Sequence, residues 1–450
     1  MTLSCFKSYD VRGKLGEDLT PAICEDIGRA FARVMQPGTV VTGRDIRESS
    51  AELQSALHRG LTAEGCTVYD IGLCGTEEVY FATEYYGAGG GLMVTASHNP
   101  IDYNGIKMVR EGARPISAET GLNDIRDLAA NGAFGPARAG PVETRDPRPA
   151  FVDHVMGYLD TDGLKPLRIV VNGGNGAAGP TFDALSENLD APWTFERVNH
   201  VPDGRFPNGI PNPLLPENRA ATADAVKASG ADLGIAWDGD FDRCFFFDET
   251  GSFLDGEYVV ALLAQAFCAK EKGARIVYDP RVIWSTLDAV AAAGGQAVAS
   301  RVGHSHIKSV MRDTDAAYGG EMSAHHYFRD FMYCDSGMIP WILVAELVSR
   351  SDLTLSQLVA RMREDFPSSG EINFTVTDKS AAIAAFETAY AGAAKDIDRL
   401  DGVSLDMGNW RVNVRQSNTE PVLRLNIETR GDRALLEAKV AELSALLSRF

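Results

Sequence analysis

Apolar residues recur along the chain in two periods. Between residues 21 and 35, Ile23, Ile27, Phe31 and Val34 fall at helical spacing, which predicts an amphipathic helix. Thr39-Val40-Val41-Thr42-Gly43 reads as a strand that runs into the charged loop Arg44-Asp45-Ile46-Arg47-Glu48-Ser49-Ser50. A helix over 52–65, a strand over 67–71, a helix near 79–86 and the short buried strand Leu92-Met93-Val94 follow. Apolar strands alternating with amphipathic helices predict an α/β layer fold with a mostly parallel sheet. Function in such folds sits on the loops that follow strand C-termini. The Arg44 loop and Thr95-Ala96-Ser97-His98-Asn99-Pro100 both occupy that kind of position.

The same alternation continues. Residues 133–149, rich in Gly, Pro and Arg without periodicity, read as a linker. A helix over 151–159 and a strand over 167–171 lead to Asn172-Gly173-Gly174-Asn175-Gly176-Ala177-Ala178-Gly179. That turn is not GxGxxG and lacks a Lys-Ser/Thr tail, so a tight strand-to-helix turn is favoured over a nucleotide loop. Residues 202–216 hold five prolines and form an irregular surface loop. Strands at 231–237 and 244–247 flank an acidic segment. Helices are expected over 258–270, 284–293, 337–349 and 353–365, with strands over 274–278 and 297–301. The last stretch changes character: strands over 371–376, 410–414 and 422–428, helices over 381–396 and 435–448. The blocks divide as 1–147, 148–248, 249–366 and 367–450. Strand–helix units recur in the first three without sequence identity between them, which hints at a repeated domain.

Composition narrows the class. The chain has 450 residues, 45% of them apolar and 23% charged, as in ordinary globular proteins of several domains. Its formal charge of −19 disfavours nucleic acid and anionic membrane as partners. A phosphorylated substrate would therefore need Arg and Lys concentrated locally. No apolar run reaches the ~18 residues of a membrane span, and the N-terminus lacks the regions of a signal peptide. A cytoplasmic protein is expected. The seven scattered cysteines form no CxxC pair and read as small core residues rather than disulfides or zinc ligands.

Four segments carry chemistry. Ser97, on a loop entered from Gly89-Gly90-Gly91 and followed by His98 and Lys107, reads as an exposed hydroxyl suited to carry or attack a phosphoryl group. Asp238-Gly239-Asp240-Phe241-Asp242-Arg243 sets three carboxylates at i, i+2 and i+4, on one side of an extended segment. They would repel one another without a cation, and oxygen ligands of this kind suit Mg²⁺. Gly320-Glu321-Met322-Ser323-Ala324-His325-His326 offers donors, acceptors and a titratable ring to a polyhydroxyl ligand. Arg415-Gln416-Ser417-Asn418-Thr419 fits a phosphate cradle or, equally, a polar hairpin turn.

In this order and spacing, the motifs resemble the α-D-phosphohexomutase family, which includes phosphoglucomutases and phosphomannomutases. The likeness runs from Tyr9-Asp10-Val11-Arg12-Gly13 to the Arg415 segment. Gly320-Glu321-Met322-Ser323-Ala324-His325-His326-Tyr327-Phe328-Arg329-Asp330 and Glu111-Gly112-Ala113-Arg114-Pro115-Ile116-Ser117 look like the bacterial phosphomannomutase branch. That branch serves GDP-mannose and surface polysaccharide synthesis.

The resemblance implies a fold of four domains around a central cleft: three mixed α/β three-layer domains and a C-terminal α+β domain. It implies transfer of phosphate between O6 and O1 of a hexose phosphate, through phosphorylated Ser97 and a hexose 1,6-bisphosphate, which also serves as activator. One Mg²⁺ per chain would be held by Asp238, Asp240, Asp242 and Ser97. Lys107, His325 and Arg12 are the general acid/base candidates. Glu321 and Ser323 would hold sugar hydroxyls, and Arg415, Ser417, Asn418 and Thr419 the non-transferring phosphate. Tyr9, Arg243, Arg281, His304 and His325 are further substrate-binding candidates. Small hexose phosphates are the implied partners; oligomeric state is not readable. Two departures bear on specificity: Thr76-Glu77 where the family often has Thr-Pro, and Arg281 where many relatives carry lysine. A phosphatase using a nucleophilic aspartate of the acidic segment, a phosphoglucomutase or dual-specificity mutase, and a non-catalytic sugar-phosphate sensor are the alternatives.

Overall fold

The structure is a computed structural model and describes residues 3–417 and 422–450. It separates into two compact units, Met1–Phe253 with Asp330–Thr354, and Leu254–Arg329 with Leu355–Phe450. Asp330–Thr354 lies inside the stretch expected as a third block, yet packs with the first unit.

The first unit holds two sheets. One runs Val11–Lys14, Tyr103–Arg110, Gly90–Val94, Thr39–Arg44, Thr67–Leu73 and Val142–Thr144. Its first two junctions are antiparallel and the other three parallel. The first helix, Pro21–Met35, starts where expected. Thr20 caps it by accepting the Ile23 N–H at 3.3 Å, Pro21 fits the first helical position, and Gln36 ends it in the left-handed region. Its apolar face packs with Leu53, Leu57 and Leu61 of the helix Ser50–Ala63 against Val40 and Val68. Each such side chain contributes about 1.5–3 kcal/mol on full burial.

Two expectations fail here. Residues 133–149 are not only a linker, because Val142–Thr144 extends the sheet beside Thr67–Leu73. Three residues are too few to show a period. Val11–Lys14 and Tyr103–Arg110, unpredicted as strands, pair with each other and carry Arg12 and Lys107.

The second sheet runs Cys244–Asp248, Leu233–Trp237, Leu167–Asn172 and Trp193–Val198. The apolar helix Met338–Arg350 covers it, with Trp341 against Phe182, Trp193 and Phe195.

In the second unit, Gln296–Ala299, Arg275–Tyr278, Tyr318–Gly320 and His326–Phe328 adjoin in that order. A five-stranded antiparallel sheet runs Ser368–Phe374, Leu423–Thr429, Trp410–Gln416, Val403–Asp406 and Asp396–Asp398. The helix expected over 381–396 stops at Tyr390. Asp396–Asp398 becomes an edge strand that packs Ile397 on the core of this sheet. Among the described residues no helix is long and apolar enough to cross a membrane.

Candidate active site

In the first unit the buried strand Gly90–Val94 ends in a loop under tension. The Ser97 N–H donates to Thr95 Oγ1 at 2.8 Å, and Ser97 sits at φ +49°, a left-handed conformation that costs a non-glycine residue energy. Ser97 is not exposed as the sequence predicted: it is 2% accessible. Its Oγ donates to Asp238 Oδ2 at 2.6 Å, so the hydroxyl turns inward toward the acidic segment. Arg12 supports the loop from the neighbouring strand, donating to Asn99 Oδ1 at 2.6 Å and Asp10 Oδ2 at 2.8 Å. Tyr9 is half-buried two residues ahead of that strand.

The acidic segment connects two antiparallel strands, Leu233–Trp237 and Cys244–Asp248. It is a turn rather than the extended run expected, because Phe241 takes φ +44°. The Phe241 ring lies so close to Gly75 that a Cβ there would meet it at 2.1 Å. A Cβ on Gly239 would stand 2.4 Å from the Ser97 carbonyl, so glycine alone permits the two loops to touch. The Gly-rich turn after Leu167–Asn172 supports the segment from behind, with Ala177 N–H donating to the Gly239 carbonyl at 3.0 Å.

Asp238, Asp240 and Asp242 are buried, with one carboxylate oxygen of each within 4.8 Å of the others. Lys107 Nζ donates to Asp240 Oδ2 at 2.7 Å and Asp242 Oδ2 at 2.5 Å. Thr76 Oγ1 donates to Asp240 Oδ2 at 2.5 Å. Arg243 donates to Asp238 Oδ2 through Nε at 2.9 Å and Nη2 at 2.7 Å, and its Nη2 also meets His98 Nδ1.

Burial works against every one of these charges. At Asp238 it is more than offset by Arg243, which holds the carboxyl below its ordinary range. At Lys107 burial is outweighed by Asp240 and Asp242, which hold the ammonium protonated above its usual range. At Asp242 burial and the Asp240 charge prevail and push the carboxyl up to about 8.

The donor set fits a hard cation. Asp238 Oδ1 and Asp240 Oδ1 are buried without a hydrogen-bond partner among the described residues, which is costly for a carboxylate unless an ion takes them. The three converging carboxylates offer oxygen-only ligation, which matches Mg²⁺.

The second unit holds the remaining candidates. Arg281 donates to Asp279 through Nε at 2.9 Å and Nη2 at 2.8 Å. It lies 3.4 Å from Glu371 Oε2 and 3.6 Å from Glu321 Oε1, and donates to Ser323 Oγ at 3.3 Å. Glu321 is buried, accepting from the Tyr327 hydroxyl at 2.6 Å and the Gly303 N–H at 3.0 Å, just before His304 opens the helix His304–Thr314. His325 is half-buried beside Ser323 Oγ at 3.3 Å and Glu321 Oε2 at 3.6 Å. His326 points elsewhere, to the Tyr318 hydroxyl at 2.7 Å. Arg415 ends the strand interior, 1% exposed, and donates to Glu371 Oε2 at 2.9 Å. The Ser417 N–H donates to the Val422 carbonyl at 3.0 Å. Asn418 and Thr419 lie outside the described residues.

Sequence reasoning gave Glu371 and Arg424 no place, flagged the loop of Arg47 without a role for the residue, and tied Thr76 to specificity rather than to Asp240. Arg47 had a signal, since it follows the C-terminus of Thr39–Arg44. Glu77, expected to bear on sugar specificity, instead binds the Gly337 and Met338 N–H groups at 3.1 and 3.0 Å, where its carboxylate complements the N-terminus of Met338–Arg350.

Four family profiles match nearly the whole chain. They are phosphoglucomutase/phosphomannomutase α/β/α domain I over 4–135, domain II over 149–251, domain III over 255–366 and the C-terminal domain over 371–446. The chain belongs to the phosphoglucomutase/phosphomannomutase family. Its architecture is that of the family, three α/β/α domains and a C-terminal domain. "Phosphohexose mutases" of Xanthomonas campestris pv. campestris is 56% identical, covering 99% of this chain and 100% of the relative. The phosphomannomutase of Salmonella typhimurium is 54% identical, covering 99% of both chains. Among solved structures, a phosphoglucomutase/phosphomannomutase family protein of Burkholderia thailandensis superimposes with a TM-score of 0.87 at 30% identity, covering 100% of this chain and 98% of that one.

Proposed function

We propose that the chain is a phosphomannomutase that interconverts mannose 6-phosphate and mannose 1-phosphate. The observation that carries this reading is the buried Ser97 hydroxyl, hydrogen-bonded to one of three converging carboxylates and faced by Arg243. A hydroxyl so placed can hold a phosphoryl group whose charge is met on several sides, and phosphoryl transfer is catalysed mainly by such electrostatic placement.

In the first transfer, a sugar hydroxyl attacks phosphorylated Ser97. The new P–O bond forms as the Ser97 P–O bond breaks, and the product is a hexose 1,6-bisphosphate. The attacking hydroxyl passes its proton to a general base and the Ser97 oxygen gains one as it leaves; Lys107, His325 and Arg12 are the acid/base candidates, with Lys107, held protonated by Asp240 and Asp242, on the acid side. After the bisphosphate turns over, Ser97 attacks its other phosphate and the enzyme is restored. Added hexose 1,6-bisphosphate primes unphosphorylated Ser97 by the same second step. Asp238, Asp240, Asp242 and Ser97 would hold a single Mg²⁺, which would supply charge neutralisation for the phosphoryl group. Arg243 works on the same group from the protein side. Glu321, Ser323 and His325 take the sugar hydroxyls, with His304, Tyr9 and Arg281 as flanking contacts. Arg415 and Ser417 take the other phosphate, joined by Asn418 and Thr419. The four domains divide near residues 147, 248 and 366.

The broader name of the Xanthomonas relative favours a second reading, dual use of mannose and glucose phosphates. The two sugars differ by the configuration of one hydroxyl. Turnover of mannose 6-phosphate and glucose 6-phosphate in parallel separates the readings. Phosphopeptide mapping before and after hexose 1,6-bisphosphate tests the core of the mechanism. Phosphate on Ser97, exchanged with substrate, is the expected result. Phosphate on Asp238 would make the protein a phosphatase, and none anywhere, without turnover, a sensor.

A further inference from the structure

Arg415 and Arg424 stand directly opposite each other on the adjacent antiparallel strands Trp410–Gln416 and Leu423–Thr429. Like charges in that register repel, and both side chains are largely withdrawn from solvent, at 1% and 17% exposure. A third strand resolves the conflict. Glu371, on Ser368–Phe374, offers one oxygen to each guanidinium: Oε2 accepts from Arg415 Nη2 at 2.9 Å and Oε1 lies 3.0 Å from Arg424 Nη1. A bulge aims it there. The register with Leu423–Thr429 shifts between Ser368 and Glu371, and Gly370 inside the shift takes φ +63°.

The same carboxylate reaches beyond its sheet. Oε2 lies 3.4 Å from Arg281 Nη1, and Arg281 in turn touches Ser323 and Glu321. A chain of charged groups therefore runs from the sugar-binding candidates, through Arg281 and Glu371, to Arg415. Three guanidinium groups converge on one carboxylate. Arg281 also has Asp279, whereas Arg415 keeps a buried Nε with no hydrogen-bond partner among the described residues. Buried guanidiniums held in fixed orientation suit planar, multidentate recognition of an oxyanion.

We propose that Glu371 is the positioning residue of the anion grip: it aligns Arg415 and Arg424 for the non-transferring phosphate and ties them through Arg281 to the residues that read the sugar. The proposal rests on the mutase reading above. Its sign is opposite to simple electrostatics. Removing a negative charge beside an anion site should tighten anion binding by Coulomb's law alone. Losing the alignment of two long, flexible side chains weakens it.

The test compares wild type, Glu371→Gln and Glu371→Asp in two measurements: steady-state kinetics with mannose 6-phosphate, and the thermal shift produced by inorganic phosphate. In Glu371→Gln, KM and the Kd for phosphate should both rise about tenfold or more, with kcat changed less than about threefold. Glu371→Asp should recover part of the loss. An unchanged or lower KM and Kd overturns the proposal, as does a fall in kcat alone, which a purely structural role would give. If Glu371→Gln does not fold, Arg281→Lys decides. A lysine cannot span Asp279 and Glu371 together, so KM and Kd should rise again, and their constancy overturns the proposal. A wild type that binds phosphate without turnover refutes the mutase reading instead, and the phosphate shift still judges Glu371.

Discussion

Arg47 donates through Nη2 to the main-chain carbonyl of Ser97 at 3.1 Å, from a loop 50 residues earlier in the chain. The same guanidinium takes the carbonyls of Asn99 at 2.5 Å, Pro100 at 2.9 Å and Tyr103 at 3.1 Å. Asp45 holds it in place, accepting the Arg47 N–H at 3.0 Å and lying 3.6 Å from Nε. One planar fork thus ties down four carbonyls in and beside the loop of Ser97, which sits in a left-handed conformation. Arg47→Lys keeps the charge but replaces the fork with a point charge on a flexible stem. Buried carbonyls left unpaired cost about 1–3 kcal/mol each. The variant should lose about tenfold or more in the rate of Ser97 phosphorylation by hexose 1,6-bisphosphate, measured by rapid quench. A wild-type rate would show that the loop holds its shape without the clamp.

The acidic turn gives a second prediction, independent of turnover. Asp238 and Asp240 each keep a buried oxygen without a hydrogen-bond partner among the described residues, so a divalent cation should stabilise the fold by binding there. At a hundredfold excess over Kd the gain is about 2.7 kcal/mol. Mg²⁺ should raise the Tm of wild type, and a chelator should reverse the rise. Asp240→Asn should abolish the Mg²⁺ response, whereas Asp232→Asn, at the head of Leu233–Trp237, should keep it. Equal responses in the two variants would place the ion elsewhere.

The order of these elements was legible because the strands and helices around both loops follow strong periods. Ile23, Ile27 and Phe31 announce a helix, and Ile235 to Trp237 a strand that delivers Asp238. The contacts that shape the site were not legible. Ser97 reads as exposed from its glycine-rich approach, yet it takes a left-handed φ and lies buried against Asp238. The three aspartates meet through the turn at Phe241, not through strand alternation. Arg47, Thr76 and Glu371 act on residues 50, 164 and 44 positions away. No local pattern encodes such pairings, since a sheet brings distant residues together only after its register is set.

Two buried groups predict how stability depends on pH. Glu257 lies in the first turn of the helix Gly256–Lys270, 2% exposed. Burial, with the charges of Asp255 and Glu428, pushes its carboxyl from 4.5 up to about 8. Between those values the folded protein keeps a proton that the unfolded chain has released. Stability therefore falls as pH rises through the interval and levels off above it. His326 has the opposite sign. Burial lowers its ring from 6.5 to about 3, so the unfolded chain gains a proton first and stability falls as pH drops below 6.5. Glu257→Gln mimics the protonated carboxyl and removes its slope, while leaving the acid limb governed by His326. The Tm of Glu257→Gln relative to wild type should therefore climb steadily from pH 5 to pH 8. A difference that stays constant across that range, measured by calorimetry, would mean that Glu257 titrates alike in the folded and unfolded chain.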